Sequence, residues 1–146
     1  MWLRKIVLAL CCSSWACTSA DNVNDSFANL MALDDASRTS ACLALPSEKK
    51  AALFFETQQR HHDYFGFDQC FASSPVNFMA ELRNEIDRKG SVNNLTHYIL
   101  VLSLSRQQGR ISNAEIKAMN LPELCRKLSK GSPSHCGEIV ENAIAE

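Results

Sequence analysis

The densest group of side chains able to carry a proton or bind a metal is His61-His62-Asp63. Consecutive helical residues point about 100° apart, so adjacent imidazoles do not converge on one ion unaided. No His-Glu-x-x-His spacing occurs, and His97 and His135 stand alone in the sequence. A histidine near a helix end is favoured by the negative pole of the backbone dipole, so the pair reads as a solvated helix end. Glu56 has no obvious partner carboxylate for acid–base work, and Ser103 and Ser105 lack the Gly-x-Ser-x-Gly setting of a serine nucleophile. No catalytic residue, metal or cofactor is expected.

Seven cysteines carry the remaining chemistry: 11, 12, 17, 42, 70, 125 and 136. Their fate depends on the first twenty residues. Arg4 and Lys5 precede an uncharged apolar run, and small polar residues follow, as in a cleaved secretory signal. The run is shorter than the roughly 20 apolar residues of a spanning helix. Thr18-Ser19-Ala20 offers one cut, leaving Asp21 first; Ser14-Trp15-Ala16 offers another, leaving Cys17 first. The second resembles a bacterial lipoprotein site and implies acylation of Cys17, although Ser14 stands where that motif has leucine. Release with Asp21 first is the favoured reading. Either way four thiols remain, Cys42, Cys70, Cys125 and Cys136, enough for two disulfides in an oxidising compartment. Three pairings are open. A ten-residue connection between consecutive helices favours Cys125 with Cys136, which leaves Cys42 with Cys70.

The mature stretch, residues 21–146, suits one domain. Losing Arg4 and Lys5 takes the fifteen basic residues to thirteen against sixteen acidic ones, a charge near −3. Nucleic acid and anionic membrane both reward a clustered basic surface, so neither is an expected partner. The membrane enters only through a lipid on Cys17.

Apolar residues recur at helical spacing along most of this stretch. The stripe over 25–44 predicts a first helix, ended by Pro46. Ser47 caps a second over 48–62, and 64–73 reads as a compact aromatic loop. Ser74 and Pro75 start a third helix, with Gly90 just past its end as a left-handed residue. Asn94 caps a fourth, whose 98–102 segment is apolar on every face and is expected at the centre. A buried strand is the minority reading there. Ser112 and Glu115 form a capping box, with Ile111 placed to staple against Ile116. Pro122 opens a short helix, and the residues after Gly131 form a last one. The expected fold is an all-α bundle of five or six helices stapled by two disulfides.

Residues 104–116 resemble half of an EF-hand, with Gly109 at the turn and Glu115 closing. Leu104, Arg106 and Gln108 occupy the early ligand positions where that family has Asp or Asn. A cationic side chain there repels calcium, so a helix stop and a capped restart are expected instead. Asn24 and Asn94 match the N-glycosylation acceptor pattern. The feature that invites a partner is aromatic: any of Phe65, Phe67 and Phe71 left exposed would form an apolar patch rimmed by Arg60, His61 and Asp68.

The expected function follows from compartment and scaffold: a small periplasmic or secreted helical protein that binds another protein, such as an inhibitor, an immunity-type protein or a secretion-system adaptor. A carrier of an apolar small molecule between the helices is the first alternative. A hydrolase-like enzyme using His61 or His62 is the second.

Overall fold

Asp34 breaks the first apolar stripe in two. In the computed structural model, which describes residues 23–60, 66–130, 136, 137 and 140, helix α1 spans Val23–Met31 and α2 spans Asp35–Leu43. Side chains of residues 23–26 and of Arg60 lie outside the description. Asp34 sits in extended geometry and accepts the Ser37 amide at 3.0 Å and the Ser37 hydroxyl at 2.7 Å. Those bonds cap α2 and hold the Asp34 carboxyl below the usual carboxylate range. Arg38 closes the corner. Its buried guanidinium donates to the Leu30 carbonyl at 3.2 Å and the Leu33 carbonyl at 2.7 Å, tying α2 to the end of α1 and to the turn that follows it. The single predicted helix over 25–44 is therefore a helical corner.

Six further helices follow: α3 (Ser47–Arg60), α4 (Asp68–Ala72), α5 (Val76–Lys89), α6 (Val92–Gln107), α7 (Asn113–Ala118) and α8 (Leu121–Leu128). Cys136, Gly137 and Val140 are also helical. Among the described residues there is no strand. The eight helices α1 to α8 among the described residues exceed the five or six expected, because the first stripe splits and the aromatic loop contains α4.

Helix α6 is the centre of the packing, against α3, α4, α5 and α8. Its 98–102 segment is helical, and its residues are buried except Leu100, which is 40% exposed; the expectation of burial on every face fails at that one residue. Tyr98 donates its hydroxyl to the Met79 carbonyl at 2.8 Å, with Met119 Sδ at 2.9 Å. Burial pushes that phenol's pKa up. Phe27, Phe67, Phe71, Phe54 and Phe78 form a chain of ring contacts beside α6, with centroids 5.6 to 6.4 Å apart.

The helix ends show which local signals acted as expected. Ser112 and Glu115 make the full capping box, and Ile111 and Ile116 are both buried beneath it. At the end of α6 the Gly109 amide donates to Arg106 and the Arg110 amide to Ser105, with Gly109 at φ 69°. That is a Schellman stop. Gly90 differs from expectation: its φ is −82°, so no left-handed residue is needed. Glycine is required there for space, since a Cβ would meet the Ile86 carbonyl oxygen at 2.6 Å. The cap of α6 is Ser91, with Asn94 as the reciprocal partner one turn in.

The cysteines join as Cys42–Cys70 and Cys125–Cys136. The first ties α2 to α4, and the second ties α8 to the helical residues that follow it.

Candidate functional site

Three arrangements bring chemically capable groups together. Two of them were invisible as pairs in the sequence.

The first is built on α4, a single turn whose first residue is Asp68. Asp68 Oδ1 lies 2.6 Å from His97 Nε2 of α6, and Gln58 Nε2 of α3 lies 2.7 Å from His97 Nδ1. Asp68 is 4% and His97 6% exposed. The Phe54 ring stacks on the imidazole with centroids 4.8 Å apart and planes 14° from parallel. With the Gln58 amide oriented to donate, Nδ1 is its acceptor and Nε2 is the nitrogen that donates to Asp68. An Asp–His pair is two-thirds of a hydrolytic triad. Here the second ring nitrogen faces an amide donor instead of a hydroxyl or thiol. With both nitrogens engaged and both residues buried, the arrangement acts as a cross-tie among α3, α4 and α6. His97, solitary in the sequence, is partnered through residues 29 and 39 positions away.

The second arrangement joins Lys50 of α3 to Ser74, between α4 and α5. Lys50 Nζ donates to Ser74 Oγ at 3.2 Å and lies 4.7 Å from the Phe78 ring centroid. Burial pulls the Lys50 amine's pKa down, and Glu81 partly opposes that. A serine beside a lysine recurs in acyl-transfer enzymes. In this chain the Ser74 hydroxyl donates to the Cys70 carbonyl at 2.8 Å, turned away from the amine. Ser74 is 2% exposed and Lys50 4%, which leaves no approach for a substrate carbonyl. Ser74 therefore does not cap α5 as its position predicts: Pro75 occupies the cap position, without a side-chain bond.

The third is a surface groove of about 400 Å³ between α5 and the end of α7. Val76, Ala80 and Asn84 line one wall at i, i+4 and i+8, and Ala118 and Met119 line the other. Arg83 crosses it, donating Nε to the Met119 carbonyl at 3.1 Å while its other arm meets Asp87 at 3.2 Å. Glu115 stands at the rim, its carboxyl held below the usual range by the Ser112 amide and hydroxyl. A comparable groove between α3 and α5 has Ala51 and Ala52 on its floor, but Glu48, Glu81, Glu85 and Arg88 ring it with charge.

Two of the three rings of the predicted aromatic epitope are not on the surface. Phe67 and Phe71 are buried, 1% and 0% exposed. The turn of α4 and the Cys42–Cys70 bond carry both rings inward against Phe27, Phe54 and Phe78. Asp68, expected on the rim, is buried with them. Phe65, His61 and His62, the Arg60 side chain and Cys17 lie outside the described residues, as do the predicted signal over 1–20, His135 and most of the predicted last helix. Asn94 is largely buried, and its Oδ1 accepts both the amide and the hydroxyl of Ser91 at 2.9 Å. In the folded chain that sequon is spent on a helix cap. The Asn24 side chain lies outside the description. Gly109 and Glu115, which resemble EF-hand positions, serve as helix stop and cap. Among the described residues no three His, Cys, Asp or Glu side chains gather around a common point for a metal ion, and no helix is long and apolar enough to cross a membrane.

No protein-family model, curated protein or solved structure matches this chain.

Proposed function

We propose that this chain is an exported, disulfide-stapled helical protein that works by binding another protein, with the groove between α5 and α7 as its docking face. The groove is the observation that carries this reading. Ala80 and Ala118 are exposed and small, so the two helices leave a trough where longer side chains would stand. From Val76 to Asn84 it runs about 12 Å at 1.5 Å per residue, the length of roughly two helical turns. An amphipathic helix with one or two aliphatic side chains fits such a trough. Glu115 is ionised at neutral pH and the mature chain is acidic, which favours a basic flank on that helix.

Two disulfides support an oxidising destination. Release with Asp21 first remains the favoured form, and tethering through an acylated Cys17 the alternative. The carrier reading finds less support: Tyr98, Val101 and Leu102 meet packed side chains, and Leu100 faces solvent. The inhibitor, immunity-type and adaptor roles differ in the partner's identity, which affinity capture addresses.

The test immobilises the mature protein and captures partners from its native envelope or secretion fluid. A parallel column carries Ala80→Arg, which fills the trough, and another carries Lys49→Ser, an exposed change elsewhere. A partner retained by the parent and Lys49→Ser columns but lost from Ala80→Arg supports the reading. Capture that survives Ala80→Arg overturns the groove as the docking face. Mass spectrometry of the native N-terminus separates Asp21 from diacylglyceryl-Cys17.

A further inference from the structure

We propose that Cys125–Cys136 is a redox-addressable clasp: a dithiol reductant opens it while Cys42–Cys70 stays closed, and opening releases α8 from the helical residues Cys136, Gly137 and Val140. The reading is independent of the docking groove.

Thiol–disulfide exchange needs an attacking thiolate to reach one sulfur in line with the bond that breaks, so access separates one bond from another. Cys42 and Cys70 are both 0% exposed, and they lie between α2 and α4 within the aromatic core. Reaching either sulfur requires those helices to part. Cys125 is equally buried, but Cys136 is partly exposed and lines an open groove of about 480 Å³ with Pro122, Glu123 and Arg126. Arg126 pairs with Glu123 and Lys127 with Asp87, so their charges are largely offset and access is what separates the two bonds. The groove therefore delivers a reductant to the Cys136 sulfur first.

The exchange balances with one dithiol. Its thiolate bonds to Cys136 Sγ as the Sγ–Sγ bond breaks, and the Cys125 sulfur departs as thiolate and takes up a proton. The second thiol of the reductant, as thiolate, attacks the mixed disulfide and displaces Cys136 as thiolate, which is then protonated. Two electrons pass to the protein, and the reductant leaves as a disulfide.

What the clasp holds is apolar. Leu121, Leu124 and Cys125 are buried along one stripe of α8 with Leu128 partly so, and Val140 is buried beyond the bond. Helix α8 has only eight residues, too few to persist without tertiary contacts. Opening the bond loosens that end while α2 through α6 keep their own bridge and core.

The intact mature protein is treated with dithiothreitol under native conditions, quenched, alkylated and mapped by mass spectrometry. Labelling of Cys125 and Cys136 at least tenfold faster than Cys42 and Cys70 is expected. Equal rates, or earlier labelling of Cys42 and Cys70, overturn the proposal. Hydrogen exchange on the selectively reduced protein reads the release. Faster exchange across α8, with α3 and α6 unchanged, supports the clasp, and unchanged exchange in α8 overturns it. The Cys125→Ser/Cys136→Ser double variant provides the same comparison without reductant.

Discussion

The two disulfides sit in opposite surroundings. Cys42–Cys70 closes a separation of 28 residues and is sealed beside the phenylalanine chain, the Asp68–His97–Gln58 tie and the Lys50–Ser74 tie. Cys125–Cys136 closes 11 residues at the edge, where Cys136 lines a groove and the neighbouring side chains are charged and exposed. On loop entropy alone they differ little, about 3.5 against about 2.8 kcal/mol. The larger difference lies in what each bond is coupled to. At the sealed end, bond, rings and polar ties share one volume, so disturbing one disturbs all. At the edge, the bond holds a short helix whose other ties are the burial of Leu121 and Leu124 and the Lys127–Asp87 pair.

Phe71→Ala probes the sealed end most strongly. It removes a ring lodged among three others and is expected to cost about 4 kcal/mol, measured by urea unfolding. A surface-like loss below 0.5 kcal/mol would return Phe71 to the role of an exposed binding residue. Next come the two disulfides. Cys42→Ala/Cys70→Ala is expected to lose about 3.5 kcal/mol and Cys125→Ala/Cys136→Ala about 2.8 kcal/mol or less. Equal losses, with equal disturbance of near-ultraviolet circular dichroism, would erase the distinction. Asp68→Ala leaves a buried imidazole N–H without its acceptor, at about 2–3 kcal/mol. If the tie were unimportant, Asp68→Ala would unfold at the parent's urea midpoint.

Effects at the edge are expected to be smaller. Ser112→Ala removes both hydroxyl bonds of the α7 capping box and should cost about 1 kcal/mol, with the loss concentrated in hydrogen exchange of α7 and α8. The smallest effect concerns Asp87 on α5, which pairs with Lys127 of α8 and has its carboxyl held below the usual range by that lysine. A depressed carboxylate contributes stability above its unfolded pKa of about 4. That contribution disappears as pH falls through the lower folded value. Lys127→Met should therefore flatten the dependence of the urea midpoint on pH between about 5 and 3. A slope identical to the parent's would show that the pair does not join α8 to the bundle.

Signals that act within one turn were legible. Ser112 with Glu115, and Gly109 as a stop, work through partners three or four residues away, so spacing alone exposes them. Ser74 and Asn94 look like the same kind of signal, but neither acts as the lone cap its position suggests. The Ser74 hydroxyl is taken by the Cys70 carbonyl and Lys50, and Asn94 answers Ser91 instead of capping the helix alone. Gly90 marks the end of α5 through space and not through backbone geometry: Ile86 crowds it, while its φ is ordinary. The break at Asp34 is local too, yet the apolar periodicity runs through it, and only the Ser37 bonds and the Arg38 corner show that the helix ends there.

From residue types and spacing alone came the helical class, the cysteines that bridge, and the expectation of export. Each depends on periodicity, parity or a charged-then-apolar start, properties of neighbours along the chain. Tertiary structure decided which of those residues do chemistry and which face solvent. His97 acquires Asp68 and Gln58 only when α3, α4 and α6 meet, and Lys50 acquires Ser74 in the same way. Phe67 and Phe71 were as suited to an exposed loop as to a core, because hydrophobicity favours burial without naming the surface that provides it. One turn of helix and one disulfide turned them inward, and the open trough was left between Ala80 and Ala118.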